Sequence, residues 1–347
     1  RTTVSTEGNC RFLPDGSWHV SLSHLSADRF RADHELLRAL PDGLQKALST
    51  IGPNGLLSID GSLDIYSTNV EQEEPRKRRC AASWNCHLDV EQGCFGVGVA
   101  LNNVHGGLNL RGSTDGQRWS ANGEVDLDSA IWQGVQLTQI RGPILMDQSG
   151  VRFGAMTVSD GMTPRRLSAK VAGGKLEVDG MSSSSGLGGF TVAASLVDAD
   201  LERIACDTRG TPHRFKGRVF GSVEISGTRA GTHSLRGHGQ LRLRDADVYE
   251  LPLVVAMLKM LRVKAPDRSA FGSSFTQFRI AGPHAYLDEI ELAGDAISLV
   301  GNGEVGFDGD VQMTFRSIMG DAEEQLPAMK RMLGGASGQF LLLHVDG

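Results

Sequence analysis

The sequence predicts a mainly β protein: a long, curved antiparallel sheet, either an open groove or a half-barrel, with a few short amphipathic capping helices. Three observations support this fold class, namely a high glycine content, many segments of alternating apolar and polar residues, and an internal repeat. Glycine contributes 44 of the 347 residues and proline only 11, where ~7% glycine is usual. Hydrophobic residues make up 40% of the chain and charged residues 22%, which excludes disorder as the main state. The net charge of −6 argues against nucleic acid as a partner.

The first predicted region, residues 1–52, ends in a stretch with helical periodicity. Between residues 28 and 51, apolar side chains such as Phe30, Leu37, Leu44 and Ile51 recur at spacings of three, four and seven, which is typical of helices. Pro41 interrupts the pattern. We therefore predict two short helices, or one kinked helix, packed against an apolar surface.

The second predicted region, residues 53–230, alternates apolar and polar residues with a period of two. This period indicates strands with one apolar face and one wet face. Examples are Leu57 with Ile59 and Val125 with Leu127. Glycines bracket many of these runs, as in 174–180 and 221–227, and we interpret them as turns of an antiparallel meander.

A two-copy repeat lies within this region. Residues 98–110 match residues 134–146, with glycine on glycine at 98/134 and 106/142 and coincident apolar positions throughout. The offset is 36 residues. The repeat predicts a sheet that grows by adding copies of one small unit of strands.

The third predicted region, residues 231–347, combines further strands with a short amphipathic helix at 251–263. Pro252 lies near the helix start, where its missing N–H is tolerated. The predicted apolar face of this capping helix consists of Leu253, Val254, Met257, Leu258 and Leu261.

Motifs for catalysis, cofactors or metals do not emerge from the residue pattern. Cys80, Cys86 and Cys94 lack the C-x2-C spacing of a zinc site; a disulfide within the cluster, or buried cysteines in a strand, fit better. Residues 301–306 match G-x-G-x-x-G but precede an alternating segment instead of a helix. We interpret them as a hairpin. The sequence therefore predicts a non-enzymatic protein with no catalytic residues, cofactor or metal.

The order of motifs between residues 237 and 347 resembles the C-terminal region of AsmA-like proteins. Gly237-His-Gly-Gln-Leu opens a strand that leads to Leu251-Pro-Leu and the short helix. A strand marked by Phe275 follows, and then the hairpin segment Gly301-Asn-Gly-Glu-Val-Gly-Phe-Asp-Gly. His344-Val-Asp-Gly looks like the start of that family's last strand, cut short.

This resemblance implies a curved sheet with an apolar concave face, similar to bridge-like lipid-transfer proteins. Such proteins lie in the periplasm of Gram-negative-type bacteria, anchored in the inner membrane by an N-terminal helix that this sequence lacks. They are thought to carry phospholipid toward the outer membrane or to regulate outer-membrane assembly. We expect the chain to be a segment of a longer envelope protein, with phospholipid or another acyl lipid as its partner and no nucleic acid.

The candidate groove residues are apolar members of the alternating segments and of the repeat. They are Leu108, Leu110, Ile144, Met146, Leu176, Val178, Val223, Ile225, Leu241, Leu243, Ile290 and Leu292.

Two alternative functions remain open. The first is a structural or adhesive β-rich surface protein with a core filled by side chains and no lipid binding. The second is a carbohydrate-active protein. The last alternative requires carboxylates that converge in a cleft with Trp18, Trp84, Trp119 or Trp132.

Overall fold

The computed structural model describes residues 2–31, 35, 38, 54–69, 78–96, 100–157, 164–184, 188–209, 216–246, 272–294, 297–319 and 342–346. It confirms a mainly β, antiparallel fold, because 18 strands dominate these residues and every defined strand pairing is antiparallel; the predicted groove or half-barrel stays a prediction. The chain divides into two compact units, residues 1–170 with 177–190 (unit 1) and residues 171–176 with 191–347 (unit 2). The predicted boundaries at residues 52 and 230 mark changes in sequence pattern and stay predictions. No helix in the described ranges is long and apolar enough to cross a bilayer.

Unit 1 is a meander in which each strand pairs with its neighbour in the chain. Its strands are β1 (Thr3–Phe12), β2 (Trp18–Phe30), β3 (Asn54–Asn69), β4 (Arg78–Gly96), β5 (Ala100–Thr114), β6 (Trp119–Trp132), β7 (Val135–Asp147) and β8 (Gly150–Phe153), followed by a 3-10 turn at Gly154–Thr157. β9 (Leu167–Val171) and most of β10 (Gly174–Ser183) come next, whereas β11 (Phe190–Asp200) belongs to unit 2 from residue 191 onward. Residues 180–183 of β10 pair with β8. Such chain-neighbour pairing is what hairpin-connected strands favour.

A line of backbone irregularities crosses the strands of unit 1. Arg29, Gln92, Asn103 and Gln139 have φ angles of 53°, 53°, 48° and 52°, and register shifts accompany the first three. Asn103 and Gln139 are 36 residues apart, so the sequence repeat also repeats the positive φ angle, whereas of these two only Asn103 lies at a register shift. Bulges bend a strand and increase its right-handed twist. The register shifts at Arg29, Gln92 and Asn103 therefore favour a bend in their strands.

Unit 2 contains the one α-helix with defined bounds, α1 (Leu201–Arg209), and a second meander. Its strands are β12 (Arg218–Gly227), β13 (Arg236–Arg244), β14 (Ser273–Ala281), β15 (His284–Ala293), β16 (Ile297–Gly306), β17 (Val311–Met319) and β18 (Leu342–Asp346), with a 3-10 turn at Thr232–Ser234. Consecutive strands from β12 to β18 are paired. The segment 301–306 thus lies in β16 and leads into another strand, which confirms the hairpin interpretation.

Helix α1 begins at a capped turn that the sequence analysis did not identify. The Asp200 carboxylate accepts hydrogen bonds from the backbone N–H groups of Glu202, at 2.9 Å, and Arg203, at 3.3 Å, as an N-cap does. Leu201 and Ile204 pack against the buried cluster of unit 2. The helix therefore closes one end of that cluster.

Several predictions of local structure need correction or lie outside the described residues. Residues 28–30, which we assigned to a helix, end strand β2 instead, because Phe30 pairs with Leu57 of β3. Gly180 and Gly221 lie inside strands and not at turns. Glu35 and Arg38 are helical, whereas the rest of the predicted N-terminal helical stretch and the whole capping helix at 251–263 lie outside the described residues.

Candidate functional site

The twelve candidate groove residues all lie on strands. Leu108 and Leu110 are in β5, Ile144 and Met146 in β7, Leu176 and Val178 in β10, Val223 and Ile225 in β12, Leu241 and Leu243 in β13, and Ile290 and Leu292 in β15. Strand register shows which of them share a face, because directly paired residues point to the same side. In unit 1, Leu110 and Ile144 both pair with Gly123, and Leu108 and Met146 alternate with them on the same face. In unit 2 the six candidates of β12, β13 and β15 likewise share one face.

The apolar face of unit 2 is filled at one end and open at the other. At the filled end, one register row holds Val219, Leu243, Leu292 and Leu299, and all four are buried. The row that lies six residues further along the strands is half-buried throughout. It consists of Ile225, Gly237, Ile280, Ala285, Val305 and Val311. The two rows are about 20 Å apart at 3.3 Å per residue.

Leu241 lies between these two rows and is the most exposed of the candidates. It pairs with Gly221 on one side and Thr276 on the other, so it belongs to the apolar face. Its side chain is nevertheless 41% exposed. The apolar face of unit 2 therefore leaves large apolar side chains in contact with solvent.

The apolar face of unit 1 contains a half-buried row between two buried ones. Leu25, Cys86, Leu110, Ile144 and Phe153 are connected by direct register pairings, through glycines at 61 and 123, and each is half-buried. The flanking rows contain buried residues, which are Ala121, Met146 and Val151 on one side and Leu88, Leu108 and Val125 on the other. The half-buried row runs across the strands from β2 to β8.

Glycines on the apolar faces are covered by side chains from the neighbouring strand. A Cβ added at Gly112 would lie 2.3 Å from the Trp84 ring, at Gly239 2.5 Å from Phe278, and at Gly301 2.6 Å from Phe315. The rings thus lie down over the adjacent backbone, a device that protects strand glycines. These three glycines therefore serve packing within strands and not turns.

The opposite face of each unit is polar. Together the two polar faces carry five exposed pairs of a histidine with a carboxylate. In one of them the His87 imidazole contacts Asp89 at 3.2 Å and also Asn109 at 2.8 Å. Exposed ion pairs contribute little stability. No cluster of three or more metal-ligating side chains occurs in the described part of the chain.

The three clustered cysteines lie along one strand, β4, as free thiols. Cys86 and Cys80 are six residues apart, about 20 Å at 3.3 Å per residue, which is too far for a disulfide. Cys80 and Cys94 are exposed and Cys86 is half-buried, so the expectation of buried cysteines is wrong for two of them. Burial in the apolar row raises the pKa of the Cys86 thiol to about 11.

One cleft brings carboxylates together with a tryptophan, as the carbohydrate-active alternative requires. It lies between the β5–β6 and β7–β8 turns, has a volume of about 530 Å3, and is lined by Asp115, Asp147 and Trp119 among others. Hydrogen bonds from the backbone N–H groups of Arg118 and Gln117 lower the pKa of Asp115. Burial opposes ionisation of Asp147, but hydrogen bonds from Ser149 and the nearby Arg152 outweigh it and lower the Asp147 pKa. Both carboxylates therefore stay ionised, whereas a glycosidase needs one carboxyl with a raised pKa.

Comparison with known proteins adds no relative: the sequence matches no protein-family model and no curated protein, and the fold matches no solved structure.

Proposed function

We propose that this protein binds the acyl chains of phospholipid or a similar lipid along its apolar sheet faces and acts without catalysis. The observation that carries the proposal is the apolar face of unit 2, where the open end is half-buried and Leu241 is 41% exposed. A monomeric sheet normally buries its apolar face against a second layer. Acyl chains would complete that layer.

The physical basis of binding is burial of apolar surface. Apolar burial stabilises by about 25 cal/mol per Å2 and requires no specific hydrogen bond, so a row of side chains such as Leu25, Leu110 and Ile144 is sufficient. Lipid head groups would remain at the wet margin of the sheet.

The proposed setting is the envelope of a Gram-negative-type bacterium, where the protein would conduct phospholipid between inner and outer membrane or regulate outer-membrane assembly. This part of the proposal is supported by the resemblance of residues 237–347 to AsmA-like proteins. Within each unit, a curved sheet in the form of a groove or half-barrel would let its apolar face hold acyl chains along the strands. The bulges at Arg29, Gln92 and Asn103 favour such curvature.

The alternative of a structural or adhesive protein is favoured by the filled end of unit 2. There Leu299 is 0% and Phe315 1% exposed, and α1 packs against the same cluster. Side chains alone can therefore fill part of the face. The two functions differ in what covers the open end.

Uptake of a fluorescent fatty acid by the purified protein separates the two functions. Leu241→Glu places a charge on the apolar face at a position exposed enough to tolerate it, and Gln240→Glu makes the same change on the polar face of the same strand. Since an unpaired charge is costly in apolar surroundings, we expect Leu241→Glu to weaken uptake at least about tenfold and Gln240→Glu to leave it unchanged. Absence of uptake, or an equal effect of both changes, would support the structural alternative.

A further inference from the structure

The polar face of unit 2 carries two phenylalanines, which is unusual for a wet surface. Phe220 of β12 and Phe275 of β14 both pair directly with Arg242 of β13, so the three side chains form one row. The Arg242 guanidinium lies 5.4 Å from the centre of the Phe275 ring, and that of Arg244 lies 5.1 Å from the centre of the Phe220 ring. These four residues, Phe220, Phe275, Arg242 and Arg244, are called the arginine patch below.

The arginines of the patch are held by rings and not by carboxylates. Arg242 and Arg244 are exposed, and neither forms an ion pair with a carboxylate of the described residues. Arg218 and Arg279 of the flanking strands, by contrast, pair with Asp198 and Asp288. Glu291 lies on the far side of Phe275 in the same row, and the positive charge of Arg242 attracts its carboxylate. Since neither patch arginine is in an ion pair with a described carboxylate, both guanidinium groups can still bind a partner.

Contact with the rings positions the guanidinium groups for anion recognition. A guanidinium held on the face of an aromatic ring keeps N–H groups free for phosphate oxygens, which a guanidinium binds in a bidentate manner. Arg242 and Arg244 are two residues apart on one strand and point to the same side, about 7 Å from each other along β13. At a bilayer surface, phosphodiester groups lie above an apolar layer, and aromatic side chains favour the boundary between the two. Two guanidinium groups beside two aromatic rings therefore suit this boundary.

We propose that the arginine patch docks the protein on the surface of an anionic phospholipid bilayer. A bilayer is the partner that suits the patch, because the patch joins positive charge to aromatic surface. The protein as a whole has a net charge of −6, so the attraction to anionic lipid is local to the patch. The patch lies on the face of unit 2 opposite to the acyl-chain face. Docking is therefore independent of acyl-chain binding and is measured separately from it.

The test is co-sedimentation of the protein with vesicles of phosphatidylcholine doped with phosphatidylglycerol, against vesicles of phosphatidylcholine alone. Each arginine near an anionic surface contributes about fivefold in partitioning, so Arg242→Gln with Arg244→Gln should weaken binding to the anionic vesicles about 25-fold. Arg236→Gln is the matched control, because it removes the same charge from the same face of β13 without a stacking ring. Phe275→Leu keeps both charges, and we expect it to weaken binding by loss of orientation.

Four results would overturn the proposal. The first three are absence of binding to the anionic vesicles, equal binding to both kinds of vesicle, and equal losses from Arg236→Gln and from the single variant Arg242→Gln. Displacement of the protein from vesicles by inorganic phosphate, at an ionic strength where chloride has no effect, would also overturn it, because the site would then recognise free phosphate. Fatty-acid uptake by the double arginine variant should equal that of the wild type, which keeps this test distinct from that of the acyl-chain face.

Discussion

Gly301 lies in the middle of β16, and its replacement by alanine tests whether neighbouring side chains occupy the space above the apolar-face glycines. A Cβ at this position would lie 2.4 Å from the carbonyl oxygen of Thr314 and 2.6 Å from Cδ1 of Phe315. The first contact is with backbone, and the second is with a ring that is 1% exposed. Neither neighbour can yield without disturbing the buried cluster.

Two opposing effects determine the magnitude. Glycine to alanine at a compatible backbone stabilises a protein by about 0.4–1 kcal/mol, because it reduces the freedom of the unfolded chain. Overpacking a tight core costs about 1–3 kcal/mol. Since two contacts far below van der Waals separation arise together, overpacking outweighs the entropic gain. We expect Gly301→Ala to destabilise β16 and β17 by about 1–2 kcal/mol.

Gly221→Ala is the matched control on the same face of unit 2. The nearest atoms to its added Cβ would be the Gln240 carbonyl oxygen at 3.1 Å and Leu241 Cδ1 at 3.4 Å. Leu241 is exposed and can move, and the carbonyl contact needs a shift of only a few tenths of an ångström, so the stability should stay within about 0.5 kcal/mol of the wild type.

Amide hydrogen exchange in β16 and β17 measures the effect locally, since it reports the free energy of opening. A loss of 1–2 kcal/mol corresponds to exchange about 5 to 30 times faster. Exchange in Gly301→Ala that is as slow as in the wild type would refute the reasoning. A further check is the double variant Gly301→Ala with Phe315→Leu. Its loss of stability should be smaller than the sum of the losses in the two single variants, because the two residues share one space.

Three further predictions concern the helix cap and two titratable groups. Asp200→Ala removes the N-cap of α1 and should cost about 1 kcal/mol, measured by urea denaturation, whereas Asp200→Asn should cost much less; equal losses would contradict capping. Burial and the neighbouring Glu289 raise the pKa of Glu291, so its charge disfavours folding at neutral pH. Glu291→Gln should therefore raise the Tm at pH 7, and the gain should vanish as the pH falls below the ordinary glutamate value of 4.5; a gain that persists in acid would contradict this cause. Burial raises the Cys86 pKa from 9.0 to about 11, so its thiolate is roughly 100-fold scarcer at pH 8 and alkylation by iodoacetamide should be correspondingly slow. Mass spectrometry of the labelled protein would contradict the prediction if Cys86 reacted as fast as exposed Cys10.

The strands and their apolar faces could be predicted from the sequence because both follow from a local period of two. Leu57 with Ile59 and Leu241 with Leu243 alternate with polar residues, and the structure places each pair on one face of a strand. The hairpin at 301–310 was predictable for the same reason, since an alternating strand followed the glycines where a nucleotide site needs a helix.

Features that depend on contacts between strands could not be predicted. Glycine within a strand and glycine at a turn look alike in sequence, and only the ring of Phe278 over Gly239 distinguishes them. Prediction of the arginine patch would require the strand register, which determines the residues that face Arg242 on both neighbouring strands. Helix α1 did have a signal in the sequence, because Asp200 precedes Leu201, Ile204 and Ala205 at helical spacing, with Glu202 in the first turn. The helix has only nine residues, which is too short for this pattern to stand out among the strands.

Photocrosslinking in cells, with lipid mass spectrometry of the adducts, tests the central claim most directly. A crosslinking amino acid replaces Val223 in one variant and Glu224 in another, since these neighbours on β12 point to the apolar and the polar face of unit 2. Acyl-chain binding on the apolar face predicts phospholipid adducts at 223 and none at 224. Lipid at both positions, or at neither in a folded protein, would contradict it.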